Sequence, residues 1–350
     1  MGAVAWIESL SPWPEEFGLE RMHALLAALG DPQRGVRAVH VVGTNGKSTA
    51  TRIVEALLAA EGLHVGAYLS PHVHGWSERI RIGGEEADFE SAIARVRDEA
   101  ERLDATQFEV LTAAAFLAFA DAGVDAAVVE AGLGGRHDAT NVLDAPVVLL
   151  TNVGLEHTDV LGSTREAIAR EKLAVARQGA IVVLPDEEFA AVVPHARVVL
   201  GGAREAAEAF LGHPVDADVH VTLPGRLERR GPDEIWDGAH NADGLDWLLP
   251  RLPPGRYTVV ASILRDKDAG AMLDRLARVA RRLIATRSTN PRALPAEDLA
   301  ALAQGRIASV EAVPDPAAAL ERAREDPPVL VTGSLYLLAD LVLRQDRRVK

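Results

Sequence analysis

The stretch Ala38-Val-His-Val-Val-Gly-Thr-Asn-Gly-Lys-Ser-Thr49 constrains this chain more than any other. Ala38 to Val42 reads as a short buried strand and Gly43–Thr49 as a glycine loop. Ile53, Leu57 and Leu58 mark the buried face of a helix to about Glu61. Strand, glycine loop and helix in that order form a phosphate cradle. Gly46 lets the backbone approach an anion, successive N–H groups and the helix dipole face it, and the Lys47 ammonium neutralises charge on the β- and γ-phosphates. A strict Walker A sequence has glycine where this chain has Val41, so a tight turn with an exposed lysine stays open on the motif alone.

The same rhythm continues on both sides of the loop. Leu19, Met22, Leu25, Leu26 and Leu29 recur at helical spacing before Gly30 and Pro32. Strands are expected at Val65–Leu69, Ala126–Val129, Val147–Thr151 and Ala180–Leu184, with helices at 89–103, 110–122 and 164–176. Apolar strands without polar alternation imply a sheet covered on both faces. A second series begins after Pro224, with strands near 235–236, 257–261, 283–285 and 329–331 and helices near 245–249, 271–281, 297–303 and 317–324. The stretch Gly201–Pro224, with a helix-like Ala203–Leu211, reads as a small connecting unit. The expectation is two α/β domains, 1–223 with a mostly parallel sheet and the phosphate loop, and a smaller 224–350.

Composition removes several classes. The 350 residues carry 37 Lys+Arg against 51 Asp+Glu, a formal charge of −14, whereas a nucleic-acid binder needs a basic face to displace counterions. No cysteine occurs, which excludes thiolate chemistry and fits a reducing compartment, so the cytoplasm is expected. The longest apolar run, Ala113–Ala120, is far short of the roughly 20 residues a membrane span needs, and no basic, apolar leader opens the chain. Neither nucleic acid nor membrane is an expected partner, and two domains of this size can bury adequate cores as a monomer.

Polar clusters follow several of the expected strands. Glu130 precedes Ala-Gly-Leu-Gly-Gly-Arg-His-Asp-Ala-Thr-Asn141, which puts a carboxylate suited to Mg²⁺ at a strand's carboxyl end, where α/β sheets collect ligands. Arg136 and Asp138 offer an anion fork and an acceptor, although a glycine-rich turn there can equally be structural. Thr151-Asn-Val-Gly-Leu-Glu-His-Thr-Asp159 follows the next strand, with His157 open to a ligand or a hydrogen-bonded loop role. Lys172 in Glu171-Lys172 reads by itself as a solvated helix charge. In the second half, Trp236-Asp237-Gly-Ala-His240-Asn241 is a strand-end acid with His and Asn, or a helix N-cap cluster, and Pro224-Gly225-Arg226 sits at the expected boundary.

In this order, GTNGKS, Ser70-Pro-His72, Ser77-Glu-Arg-Ile80, Phe108-Glu109, EAGLGGRHDATN, TNVGLEHTDVLGST, AREK, PGRLE, DGAHN, Arg292-Ala-Leu294 and Val331-Thr-Gly-Ser-Leu-Tyr336 resemble the dihydrofolate synthase / folylpolyglutamate synthase family. This is a branch of the Mur-type ligases, and the match spans nearly the whole chain. The resemblance implies a P-loop-type ATP domain plus a Rossmann-like C-terminal domain, with the active site between them. It also implies an ATP-dependent amide ligase of one-carbon metabolism, adding L-glutamate to dihydropteroate and to reduced folates through an acyl phosphate. Another Mur-type carboxylate and amine pair, or a nucleotide-binding protein with little turnover, are the alternatives.

Carried over by position, Thr44, Asn45, Gly46 and Lys47 match the ATP-phosphate loop, and Arg226, Asp237 and His240 match further ATP contacts. Ser70, Glu130 and His157 match ligands of Mg²⁺, two ions being expected. Lys172 matches a lysine carbamylated by CO₂. Thr106, Gln107, Phe108, Glu109, His137, Asp138 and Ala139 match the segments that hold the pterin-bearing substrate, Phe108 being able to stack on a flat ring. Two departures stand out. The family loop carries an extra glycine after the lysine, and the region between Leu184 and Pro224 is shorter, with Glu205 where an ATP-contacting Asn is expected.

Overall fold

A computed structural model describes residues 2–349. The chain forms two compact units, Met1–Val221 and Thr222–Lys350.

The first unit is built on an eight-stranded sheet: β1 (Ala38–Val42), β2 (Val65–Tyr68), β3 (Ile80–Ile82), β4 (Glu85–Glu86), β5 (Ala126–Glu130), β6 (Val147–Leu150), β7 (Ile181–Leu184) and β8 (Arg197–Leu200), in the order β4-β3-β2-β5-β1-β6-β7-β8. Neighbours from β2 to β8 pair parallel, while β3 and β4 form an antiparallel edge. Its helices are α1 (Ala3–Ser9), α2 (Glu20–Ala28), α3 (Lys47–Ala60), α4 (Phe89–Arg102), α5 (Gln107–Ala122), α6 (Thr158–Leu161), α7 (Arg165–Leu173) and α8 (Ala203–Leu211).

Strand alternation decides what covers each face. Val39 and Val41 of β1 join a core with Val54, Leu57 and Leu58 of α3 and Ala206, Ala207 and Phe210 of α8. Ala38 of β1 belongs to the core of α2, α4 and α5 on the other face, and Val42 to that of α7. Each large side chain so buried contributes about 1.5–3 kcal/mol. Because Ala206, Ala207 and Phe210 are core residues, α8 belongs to the first unit and is not part of a connecting segment, which corrects the sequence expectation. Helix α5 starts earlier than its apolar pattern suggests, because Thr106 and Glu109 form a capping box at its N-terminus.

The second unit holds β9 (Glu228–Arg229), β10 (Glu234–Trp236), β11 (Tyr257–Ala261), β12 (Ala280–Ala285), β13 (Ser309–Ala312) and β14 (Val329–Thr332), in the order β13-β12-β11-β14-β10-β9 with only β9 antiparallel. Helices α9 (Ala242–Leu248), α10 (Ala269–Leu276), α11 (Ala296–Ala303), α12 (Pro316–Arg324) and α13 (Leu335–Val349) accompany it. The helix expected at 271–281 stops at Leu276, and its last part is strand β12. Arg281 and Arg282 are tolerated in that strand because Asp326 and Glu311 take their guanidinium groups. Among the described residues no helix is long and apolar enough to cross a membrane.

Candidate active site

Four neighbouring strands, β2-β5-β1-β6, deliver the first unit's polar residues to one edge. Ser70 follows β2, Glu130 ends β5, the loop Gly43–Lys47 leaves β1, and Thr151–His157 leaves β6. Parallel strands place all these carboxyl ends together, where an α/β sheet binds its ligand.

The loop Gly43–Lys47 is braced by Asn152, a residue of the Thr151–Asp159 motif beyond the expected site residues. Its side-chain oxygen accepts from Thr44 N at 3.2 Å and Asn45 N at 2.8 Å, and its carbonyl accepts from Thr44 N at 3.1 Å. Thr151 Oγ1 donates to the Asn45 carbonyl at 2.7 Å, and Gly154 N donates to Thr44 Oγ1 at 3.0 Å. The signal was a polar pair directly after a buried strand. A Cβ on Gly43 would lie 1.9 Å from Thr151 Oγ1, so that close approach needs glycine. Gly46 is left-handed (φ +80°) immediately before α3, the geometry that turns the first N–H groups of the helix toward the loop mouth. The Lys47 ammonium lies 3.5 Å from the Thr44 carbonyl.

Glu130, 1% exposed, is bracketed from two sides: Ser48 Oγ donates to Oε1 at 3.1 Å and Ser70 N to Oε2 at 3.0 Å. Lys172 is not the solvated helix charge its local sequence suggests. It is 5% exposed and donates from Nζ to the Gly43 carbonyl at 2.9 Å. Burial first, then repulsion from Lys47, pushes its ammonium down to about 7 from the ordinary 10.5, against opposing contributions from Glu156, Asp138 and Glu171. The backbone of this residue is closely packed as well, since a Cβ on Gly135 would lie 2.3 Å from the Lys172 carbonyl oxygen. Next to it, Arg136 pairs with Glu171 at 3.1 Å.

His157 is exposed and left-handed (φ 51°) at the head of α6. Among the described residues no three His, Cys, Asp or Glu side chains converge as a metal cage. Of the donors expected at this edge, the serine hydroxyl and the carboxylate are hard oxygens of the kind Mg²⁺ takes together with phosphate oxygens instead of an all-protein cage, and the imidazole is the unusual member.

The segments expected to hold the substrate divide into buried groups that fix the backbone and groups that are more exposed. Thr106 and Glu109 are buried, with Thr106 N and Oγ1 donating to Glu109 at 2.8 and 2.7 Å and Arg21 pairing with Glu109 at 2.9 Å. Gln107 donates to the Ile7 carbonyl at 2.9 Å. Phe108 is half-buried, its ring 5.9 Å from that of Tyr68, and a Cβ on Gly132 would lie 2.7 Å from it. His137 is exposed and Ala139 is buried in the core of α5. Asp138 turns inward and takes the N–H groups of Leu133 (2.8 Å) and Thr140 (3.0 Å), while burial raises its carboxyl above the usual range.

In the second unit Asp237 is 3% exposed and accepts from Leu227 N and Ala239 N, both at 2.8 Å. Burial raises its carboxyl as well, opposed by those bonds and by Arg226. Gly238 N donates to the Gly225 carbonyl at 2.8 Å, so PGRLE and DGAHN form one clamp. His240 Nδ1 lies 2.9 Å from the Gly238 carbonyl, and Asn241 caps α9 by accepting from Gly244 N at 2.7 Å. Glu205 folds back onto Gly202 N at 2.6 Å and caps α8, which directs its charge to a helix N-terminus.

Residues 41–210 match the Mur ligase middle domain and residues 225–335 the glutamate ligase domain of Mur ligases, so fold and site define a Mur-type ligase. The folylpolyglutamate synthase of Lacticaseibacillus casei is 34% identical, over 95% of this chain and 96% of its own. Escherichia coli FolC in complex with DHPP and ADP superposes with a TM-score of 0.88 at 28% identity, covering 100% of this chain and 99% of the other. A bifunctional folylpolyglutamate synthase/dihydrofolate synthase with Mn, AMPPNP and L-glutamate bound gives 0.86 at 28% identity, covering 99% and 98%. The chain belongs to the folylpolyglutamate synthase/dihydrofolate synthase family.

Proposed function

We propose that this protein is an ATP-dependent ligase that joins L-glutamate to dihydropteroate, giving dihydrofolate, and to reduced folates. The observation that carries this reading is the buried Glu130 carboxylate, bracketed by Ser48 and Ser70 beside the Lys47 loop, in a chain that aligns over nearly its full length with a folylpolyglutamate synthase.

A carboxylate is a poor electrophile. Its oxygen therefore takes the γ-phosphoryl group of ATP, releasing ADP, and the glutamate amine then attacks the acyl carbon and expels phosphate, leaving an amide. Thr44, Asn45 and Gly46 with the N-terminus of α3 bind the phosphates, and Lys47 offsets the charge on the transferred group. Arg226, Asp237 and His240 serve ATP, with Asp237 holding the Arg226 turn in shape. Ser70, Glu130 and His157 are the side chains that would hold Mg²⁺, two ions in this reading. Bound there, the metal supplies neutralisation between two anionic reactants. Lys172, with a pKa near 7, presents a neutral amine that CO₂ can convert to a carbamate, an anionic oxygen group. Phe108 stacks on the pterin-bearing substrate beside Gly132, with Gln107, His137 and Ala139 around it, while Thr106, Glu109 and Asp138 fix the local backbone. We assign the chain to the cytoplasm as a monomer.

The test is phosphate release with Mg-ATP and L-glutamate, adding 7,8-dihydropteroate in one reaction and tetrahydrofolate in another, with mass spectrometry of the products. Glutamylated product in both establishes the bifunctional ligase. Product in neither, with ATP bound, removes the folate reading in favour of another carboxylate and amine pair or of a nucleotide-binding role.

A further inference from the structure

Strand β1 buries one polar side chain among apolar neighbours, His40. Val39 and Val41 face α3, so alternation turns His40 to the opposite face, over which residues 131–146 pass from β5 to β6 without a helix. A connection of that length with no secondary structure needs other anchors, and such loops are commonly functional. His40 Nε2 lies 2.8 Å from Thr140 Oγ1, and Thr140 Oγ1 donates to Asp138 Oδ1. The hydroxyl has one proton, so it receives the His40 Nε2–H while giving its own to Asp138. His40 Nδ1 is then a buried acceptor with no hydrogen-bond partner among the described residues. Leaving it so costs about 1–3 kcal/mol, which a valine here would avoid. The imidazole's return is its hold on the loop.

That hold reaches the chemistry. Asp138 closes the turn through Leu133 N and Thr140 N, and the turn presses Gly132 against the Phe108 ring and Gly135 against the Lys172 carbonyl. Arg177 adds a bond to the Asn141 carbonyl at 2.8 Å. Two residues past His40, β1 ends at the phosphate loop. We propose that His40 and Thr140 are positioning residues that lock the 131–141 loop, and with it the Phe108 platform and Lys172, onto the strand carrying the phosphate loop. This rests on the folate-ligase reading above. Burial, reinforced by Arg177, keeps the imidazole neutral by lowering its pKa to about 3, which preserves the donor and acceptor order of the chain.

Four variants test the lock: Thr140→Val and His40→Leu remove a link, while Thr140→Ser keeps the hydroxyl and His40→Gln keeps a donor at the Nε2 position. Steady-state kinetics and amide hydrogen exchange are measured on each. Thr140→Val and His40→Leu are expected to raise KM for dihydropteroate about tenfold, with KM for ATP within twofold. They should also speed exchange across 132–140 at least tenfold while α3 and α5 keep wild-type protection. Thr140→Ser and His40→Gln should recover most of both effects, and the double variant His40→Leu/Thr140→Val should be no worse than either single one. Unchanged loop exchange, equal rises in both KM values, or losses that merely follow Tm would overturn the proposal. Wild-type protein that ligates no pteroate would sink the folate reading, and loop exchange in the variants would still decide whether the lock exists.

Discussion

Lys172 reaches from α7 to the end of β1, where its Nζ donates to the carbonyl of Gly43 at 2.9 Å. Burial, and then repulsion from Lys47, disfavours the ammonium there and lowers its pKa to about 7. The residue that begins the phosphate loop and the Lys172 amine are thereby held together.

On the proposed carbamylation, the neutral amine attacks the carbon of CO₂ and loses a proton as the carbamate forms, so ligation should depend on both pH and bicarbonate. With a pKa of about 7, the neutral fraction rises roughly tenfold between pH 6 and 8. Initial rates should follow that rise and increase when bicarbonate is added to CO₂-depleted buffer. Lys172→Met should lower kcat by about 10²–10³-fold, a typical loss for one electrostatic group in an active site. Stability gives an independent check. The folded-state pKa lies below the unfolded 10.5, so the native state binds fewer protons and Lys172 gains stability as pH rises from 7 to 10.5. Urea unfolding of wild type against Lys172→Met should show the difference growing across that window.

Glu130→Gln separates charge from shape. The amide can place its oxygen toward Ser70 N–H and its NH₂ toward Ser48 Oγ, which can rotate to accept, so both bonds survive. Stability should change by less than about 1 kcal/mol. Lost charge should raise the Mg²⁺ concentration at half-maximal rate at least tenfold. A normal magnesium requirement in a folded Glu130→Gln protein would remove this carboxylate from the metal-binding role.

Gly135→Ala probes the contact that seats Lys172. Its Cβ would lie 2.3 Å from the Lys172 carbonyl oxygen, so either the loop or α7 must shift. Overpacking of this kind costs about 1–3 kcal/mol, which lowers Tm by roughly 2–12 °C in a domain of this size. Activity should fall more steeply than stability, because the displacement falls on Lys172. Thermal unfolding and kcat on the same preparation compare the two.

The central strands and the phosphate loop were legible because β1, β5, β6, β7, β11 and β14 are short apolar runs buried on both faces, and Gly43 and Gly46 punctuate the loop. Strands β8 and β13 are not marked in the sequence: each lies at a sheet edge, where the apolar run of β8 is only Val198–Leu200 and partly exposed, and in β13 Ser309 and Glu311 interrupt the apolar residues. Lys172 carried no local signal of burial. Its ammonium is taken in at the end of β1, where it meets the Gly43 carbonyl 129 positions earlier in the chain, and only the resemblance marks the residue in the sequence. His40 looked like part of an apolar strand, because pairing with Thr140 spans a hundred residues. Asn152 lies inside the Thr151–Asp159 motif, yet its bond to the Thr44 and Asn45 amides depends on β6 lying beside β1.

Acid should destabilise the first unit through two histidines held neutral. Both His40 and His72 have pKa values lowered from 6.5 to about 3, chiefly by burial and then by Arg177 and Arg79 respectively. Arg79 Nε donates to His72 Nδ1 at 3.0 Å, which commits that ring nitrogen to accepting. The unfolded chain protonates both near pH 6.5 while the folded chain does not. Their contribution is therefore complete above that pH and lost as pH falls through about 3. Each histidine should steepen the decline by about 1.4 kcal/mol per pH unit between pH 5.5 and 4. Replacing one by glutamine should remove one such increment from the pH dependence of urea unfolding, and replacing both should remove two. Slopes unchanged in the glutamine variants would mean that these rings take up protons in the folded state.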